Sequence, residues 1–279
     1  MTEENKLIEC PITGDKNTEF INSYDKSITS DSRIIHANVE NRISKKFGLL
    51  FNATGSRFNL KKFYTDDYNL HDENTLSEFM VYKDSQSKGI YGQILEFIDS
   101  EIKLSNVGNV LEIGCGKGIL LKRFSTKYPD WNLSAVEPSK NAKSYLKKTL
   151  PELNVFNGTF EDSPYINQKF DLVLANGILE HVPDLNNFLK LFKKCLGTNG
   201  IGYIGVPNFS SNPSDLFTYD HLSRFTPLTL EALFCNLGFT VIAKYFSEKR
   251  VPMWYLIKAT NKSKILHNSS IRWPGPRIT

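Results

Sequence analysis

The sequence predicts an α/β fold of buried strands alternating with helices, and three observations carry that reading. The run NVLEIGCGKGILL (109–121) is an apolar burst, Val110, Leu111 and Ile113, that breaks at Gly114, Gly116 and Gly118 and resumes as a helix. Such a run is a buried strand turning sharply, with main chain free to approach a ligand. A second apolar run, LSAVE, ends at Glu137, nineteen residues past Gly118. The alternation then continues to residue 260.

The elements follow in order. A first helix is expected near Lys88 to Glu101, ahead of the glycine turn. After Glu137-Pro138-Ser139, Lys140 to Leu150 reads as a helix, and NVFNGT (154–159) as a short strand. FDLVLANGILEHVPD (170–184) gives a strand over Phe170 to Ala175, a loop at Asn176 and Gly177, and the start of a helix. GTNGIGYIGVPN (197–208) is a glycine turn plus strand, and FTVIAKYFS and VPMWYLIKAT are two closing strands. Between them, Ser210 to Tyr219 is polar with one proline and reads as a loop over the sheet edge. Thr226 is the expected N-cap of the next helix, with Pro227 in its first position.

A glycine turn followed by an acid at this distance is the mark of a nucleoside site, the acid accepting from ribose hydroxyls. A dinucleotide fingerprint would need its last glycine where Ile119 stands, and no G-K-[ST] follows the turn to make a P-loop. The run resembles the first motif of class I S-adenosylmethionine-dependent methyltransferases, E/D-x-G-x-G-x-G, with Glu112 as its acid. The E-H-V-x-D ending at Glu180 to Asp184 and the segment DHLSRFTPLTLEAL (220–233) resemble later motifs of the same family. The ordered series covers roughly residues 88–260.

That resemblance implies a Rossmann-like fold: a seven-stranded, mostly parallel sheet with one antiparallel strand, helices on both faces, and a small N-terminal appendage. It implies S-adenosylmethionine as cofactor and S-adenosylhomocysteine as product. Glu112, Gly114, Cys115, Gly116 and Gly118 would line the methionine portion, and Glu137 and Pro138 the ribose. Phe160 would pack adenine, Glu161 or Asp162 would meet its amine, and Asn176 would meet the methionine end. Tyr64 and Tyr68, in FYTDDY, would fold over that end from outside the domain. The implied division is an appendage over 1–85, made of a degenerate ribbon and an aromatic helical lead-in, a cofactor domain over 86–261 with a covering loop at 208–226, and a tail over 262–279.

The first residues narrow the class. CPITGDKNTEF (10–20), then GLLF (48–51), then FYTDDY (63–68) resemble a zinc ribbon preceding methyltransferases of bacterial surface-polysaccharide and deoxysugar pathways. Thr13 replaces one cysteine and only Cys10 remains, and one thiolate cannot hold tetrahedral zinc. The segment reads as a hairpin that kept its packing role and lost its ion.

Composition bounds the rest. A chain of 279 residues with 40% apolar content buries a full core. A net charge of +4 with scattered basic residues argues against a nucleic-acid partner. No apolar run reaches membrane-spanning length, so no membrane insertion is expected. Four cysteines without a pairing pattern suit the cytoplasm. The oligomeric state is left at monomer or homodimer.

Transfer of a sulfonium methyl to oxygen requires alignment and removal of the acceptor's proton, for which histidine is suited. His181 and His221 fall at the sheet edge, with Asp220 beside His221, and these three are the catalytic candidates. His36, His71 and His267 read as surface or junction residues. In quinone O-methyltransferases a further acid ahead of the E-H pair can complete a metal site; Gly177 stands there, so no metal is expected. The acceptor expected is a small molecule, first a hydroxyl of a nucleotide-linked sugar. A nitrogen or phospho group is the alternative, and a noncatalytic cofactor-binding partner subunit the reading from another class.

Overall fold

The computed structural model describes residues 8–55, 59–68, 89–246 and 252–260. His71, His267 and the tail 262–279 lie outside the described residues. The chain begins with five short strands: β1 (Thr18–Tyr24), β2 (Ser27–Ile28), β3 (Ile34–Ile35), β4 (Val39–Ser44) and β5 (Leu50–Asn52). A short helical segment over 60–67 follows.

The larger unit alternates strand and helix: α1 (Ile90–Glu101), β6 (Gly108–Ile113), α2 (Ile119–Lys127), β7 (Trp131–Val136), α3 (Lys140–Thr149), β8 (Asn154–Phe156) and β9 (Phe170–Asn176). After these come α4 (Leu185–Cys195), β10 (Leu196–Pro207), the two-residue β11 (Ser223–Arg224), α5 (Pro227–Asn236), β12 (Phe239–Tyr245) and β13 (Pro252–Ala259).

Seven of these strands form one sheet, in the order β12-β13-β10-β9-β6-β7-β8. The pairs from β10 to β8 are parallel, and β13 runs antiparallel to both its neighbours. The expected architecture is therefore present, single antiparallel strand included. Its central strands read as nearly unbroken apolar runs because both faces are covered, whereas the edge strand β12 alternates toward solvent. The two-residue period sends Val110, Leu172 and Leu174 to one face, with α1, α2 and α3. Leu111, Ile113, Val173 and Ala175 go to the other, with α4 and α5.

Helix ends follow local chemistry. Asp184 caps α4 by accepting from the Asn187 N–H, and Leu185, Phe188, Leu189 and Phe192 form its buried stripe. Thr226 and Thr229 form a reciprocal capping box at α5, with Pro227 in the first turn.

The N-terminal strands form an antiparallel sheet, β1-β4-β5-β11, whose fourth member comes from the loop between β10 and α5. Ser223 pairs with Phe51 and Arg224 with Leu50. Cys10, Ile12, Phe47, Leu49 and Phe51 share one buried cluster with Phe225, Leu230 and Leu233. The boundary drawn at residue 85 thus separates in sequence what is joined in space. The turn at Cys10 does keep a packing role: its thiol is buried and its carbonyl accepts from the Gly14 N–H.

Candidate active site

The glycine turn leaves β6 with Gly114, Gly116 and Gly118 at φ of 71°, 54° and 70°, a left-handed series that only glycine adopts cheaply. At Gly114 a Cβ would also sit 2.1 Å from Ile178 Cδ1, so the side chain after β9 occupies the space glycine leaves. The turn is pinned to the next strand by the Gly114 N–H, which donates to the Val136 carbonyl at 2.8 Å.

Glu137 lies directly beyond, 5% exposed. Its Oε2 accepts from the Gly116 N–H at 2.7 Å and its Oε1 from the Ser139 N–H at 2.8 Å. Burial raises its pKa, and these two N–H groups oppose the rise. Glu112, at the foot of the turn, is fully enclosed, and its Oε2 has no partner among the described residues. Burial, then the nearby Glu137 charge, pushes its carboxyl well up. Burial likewise raises the Cys115 thiol.

The remaining expected cofactor residues are dispersed around this edge. Pro138 is half-buried between Glu137 and Ser139. Phe160 is 4% exposed, and its ring lies at a tilt against Phe188 within a buried cluster. Glu161 and Asp162 are exposed; Asp162 accepts from Thr159 Oγ1 and sits 3.6 Å from Lys61 Nζ. Asn176 ends β9, and its Oδ1 accepts from the Tyr203 hydroxyl at 3.0 Å. A side chain at Gly205 would meet that oxygen at 2.4 Å.

The segment 60–67 crosses the same edge, held by Lys61 to Asp162 and by Asp66 to Lys140 at 2.8 Å. It delivers Tyr64 to the histidines. The Tyr64 hydroxyl donates to Asp220 Oδ2 at 2.7 Å and lies 2.7 Å from His181 Nδ1. Burial, then the Asp220 charge, raises that phenol. Tyr68 packs beside Tyr64 with ring centroids 5.1 Å apart.

His181 and His221 meet edge to face, ring centroids 4.7 Å apart. The His181 Nδ1 is 2.8 Å from the Asp220 carbonyl, which can only accept, so Nδ1 carries the proton and Nε2 the lone pair. The His221 Nδ1 is 2.5 Å from Asp215 Oδ1, which leaves its Nε2 as the outward nitrogen. Burial, then the His221 charge, lowers His181 to about 4. Burial would lower His221 as well, but the Asp215 carboxylate outweighs it and lifts the ring to about 9. Burial raises Glu180 to about 7 against the pull of His221.

Sequence adjacency pairs Asp220 with His221; the fold re-pairs them. Asp220, fully buried, serves His181 and Tyr64 and also accepts from the Ser30 N–H at 2.8 Å. The carboxylate beside His221 is Asp215, which sequence reasoning missed because no periodicity marks a residue in a polar loop. Ser30 was missed for the same reason. Gly177 removes one acid ahead of Glu180, yet His221 arrives from another element. Glu180, His181 and His221 thereby place one possible metal-ligating atom each within 4.8 Å of one another. The ground for expecting no metal therefore does not hold in the fold. His36 is exposed.

A family model described as a methyltransferase domain matches residues 87–244, more than half the chain. A malonyl-[acyl-carrier protein] O-methyltransferase of Acetivibrio thermocellus is 25% identical over 133 residues, 47% of this chain and 46% of that protein. A ubiquinone biosynthesis O-methyltransferase of Azorhizobium caulinodans is 29% identical over 103 residues, 36% of this chain and 40% of that protein. The chain thus spans less than half the length of these relatives. Among solved structures, a glycopeptide N-methyltransferase complexed with S-adenosylmethionine aligns at a TM-score of 0.49 and 15% identity, covering 64% of this chain and 96% of that one. No helix among the described residues is long and apolar enough to cross a membrane.

Proposed function

The chain belongs to the methyltransferase-domain family, and on that premise we propose that it moves the methyl group of S-adenosylmethionine to an oxygen of a small-molecule acceptor. The observation that carries the cofactor reading is Glu137, a buried carboxylate beside three left-handed glycines. Its oxygens each accept one N–H and keep lone pairs for a ribose diol. The unpartnered Glu112 Oε2 fits a ligand that brings a cationic group to the foot of the turn.

When bound, the sulfonium supplies an already activated methyl group. The residues then have three tasks. The 114–118 main chain lines the methionine portion and Glu137 holds the ribose, Asn176 marks the methionine end, and Tyr64 and Tyr68 wall the acceptor side. An acceptor oxygen seated at the cluster would pass its proton to the free Nε2 of His181 as it takes the methyl group. Asp220 acts through Tyr64 and His181 as a positioning residue.

A sugar hydroxyl, on a nucleotide-linked sugar, is the acceptor we favour. The support is the order of CPITG, GLLF and FYTDDY ahead of the domain. The test is formation of S-adenosylhomocysteine with a panel of nucleotide sugars against amine and phosphate-bearing metabolites. Turnover confined to the amines would overturn the oxygen reading. Calorimetry showing no binding of S-adenosylmethionine or its demethylated product would overturn the cofactor reading.

A further inference from the structure

We propose that Glu180, His181 and His221 form a binding site for one divalent transition-metal cation of the zinc and cobalt type. Three features of the geometry support it. First, each histidine has its Nδ1 against an oxygen: that of His181 hydrogen-bonds the Asp220 carbonyl at 2.8 Å, and that of His221 lies 2.5 Å from the Asp215 carboxylate as an ion pair. That is how metal-binding imidazoles are oriented, since the outer partner fixes the tautomer and turns Nε2 toward the ion. Second, Glu180 is 2% exposed and its Oε2 has no partner among the described residues. A buried carboxylate oxygen without a donor is costly unless something cationic meets it. Third, the ligand atoms already lie close: Glu180 Oε1 is 4.0 Å from His181 Nε2, and one atom from each residue falls within 4.8 Å of the others.

An ion about 2.1 Å from each ligand would draw them to about 3.4 Å apart, a closure of side-chain size. Two imidazoles and one carboxylate favour a borderline cation over magnesium or calcium, which prefer oxygen alone. The carboxylates of Asp215 and Asp220 stand behind the histidines and add negative charge; Arg224 donates to the Asp215 main chain, not to its carboxylate. His181 is the most open of the three, so solvent or an acceptor oxygen can reach the remaining coordination positions from its side. The use of the ion rests on the acceptor reading: with both Nε2 lone pairs on the ion neither ring could serve as base, and a hydroxyl bound to the ion would instead shed its proton to solvent near neutral pH. Binding of the ion does not rest on it.

The experiment uses the full chain, stripped with chelator and titrated with Co2+ while visible absorption is followed, then with Zn2+ in competition. The expected result is uptake of one equivalent with the absorption of a nitrogen- and oxygen-ligated, low-coordinate ion. Glu180→Gln and His221→Asn should each weaken uptake at least about 100-fold, and Asp215→Asn about 10- to 100-fold through the ring it orients. Far-UV circular dichroism and calorimetric S-adenosylmethionine binding on the same samples report folding and the cofactor site separately. Failure of one-equivalent uptake by the wild type, a thiolate-to-cobalt band, or unchanged affinity in folded Glu180→Gln protein overturns the proposal. Each of those results leaves the methyltransferase reading standing if the cofactor still binds. If the variants do not fold, the wild-type spectrum and stoichiometry decide alone.

Discussion

Glu137 shows how much a single side chain is asked to do. Its two oxygens tie the glycine turn to the start of α3 and keep acceptor capacity for a diol. Hydrogen bonds to a charged group are worth about 1.5–3 kcal/mol each, so Glu137→Ala should weaken S-adenosylmethionine binding about 10- to 100-fold or more by calorimetry. The pH dependence has a definite sign. Burial raises this carboxyl above its unfolded value, so protonation favours the folded state and the group adds stability as pH falls. The protonated form accepts less well, so cofactor affinity should decline on acidification, starting above the ordinary carboxylate range and without unfolding caused by this residue. Affinity measured from pH 8 to pH 5 that stays flat would contradict it. The glycines and Glu137 were legible because their spacing is local and backbone conformation dictates their type. Asp215 was not, because its partner is chosen by how a loop folds: neighbours Asp220 and His221 point to different partners, and sequence adjacency misassigned them.

Elements were read as well as their signals were strong. The central strands of the seven-stranded sheet announced themselves as apolar runs because both faces are buried, and α5 by its Thr226-Pro227 start. Thr226→Ala should cost about 1 kcal/mol, a fall in melting temperature of about 2–4 °C for a domain of this size. An unchanged melting curve would mean the capping box contributes nothing. Gly114→Ala should do more, since left-handed backbone costs about 1–2 kcal/mol with a Cβ and Ile178 would have to move. Its expected signature is weakened cofactor binding together with a lower melting temperature. β11 left no readable signal, because it is two residues long and is set by what it packs against.

The molecule as a whole is less modular than its sequence suggests. Cys10, Phe47 and Phe51 lie in the same buried cluster as Phe225 and Leu233, and β5 supplies the pairing partner of β11. Removal of residues 1–55 should therefore expose apolar surface on the α5 side and release the segment carrying Asp215 to Arg224. The truncated chain is expected to aggregate in sedimentation, or, if it stays dispersed, to bind the cofactor without turnover. Full activity after truncation would show the appendage to be a passenger.

The contact of Ser30 with Asp220, and of Tyr64 with both Asp220 and His181, carries a consequence for how such a chain can diversify. On the proposed reading, the nucleoside half is written by residues after 108, whereas one wall of the acceptor chamber is contributed from before residue 70. Exchanging that opening stretch between homologous chains would re-shape what is methylated while the source of the methyl group stays untouched.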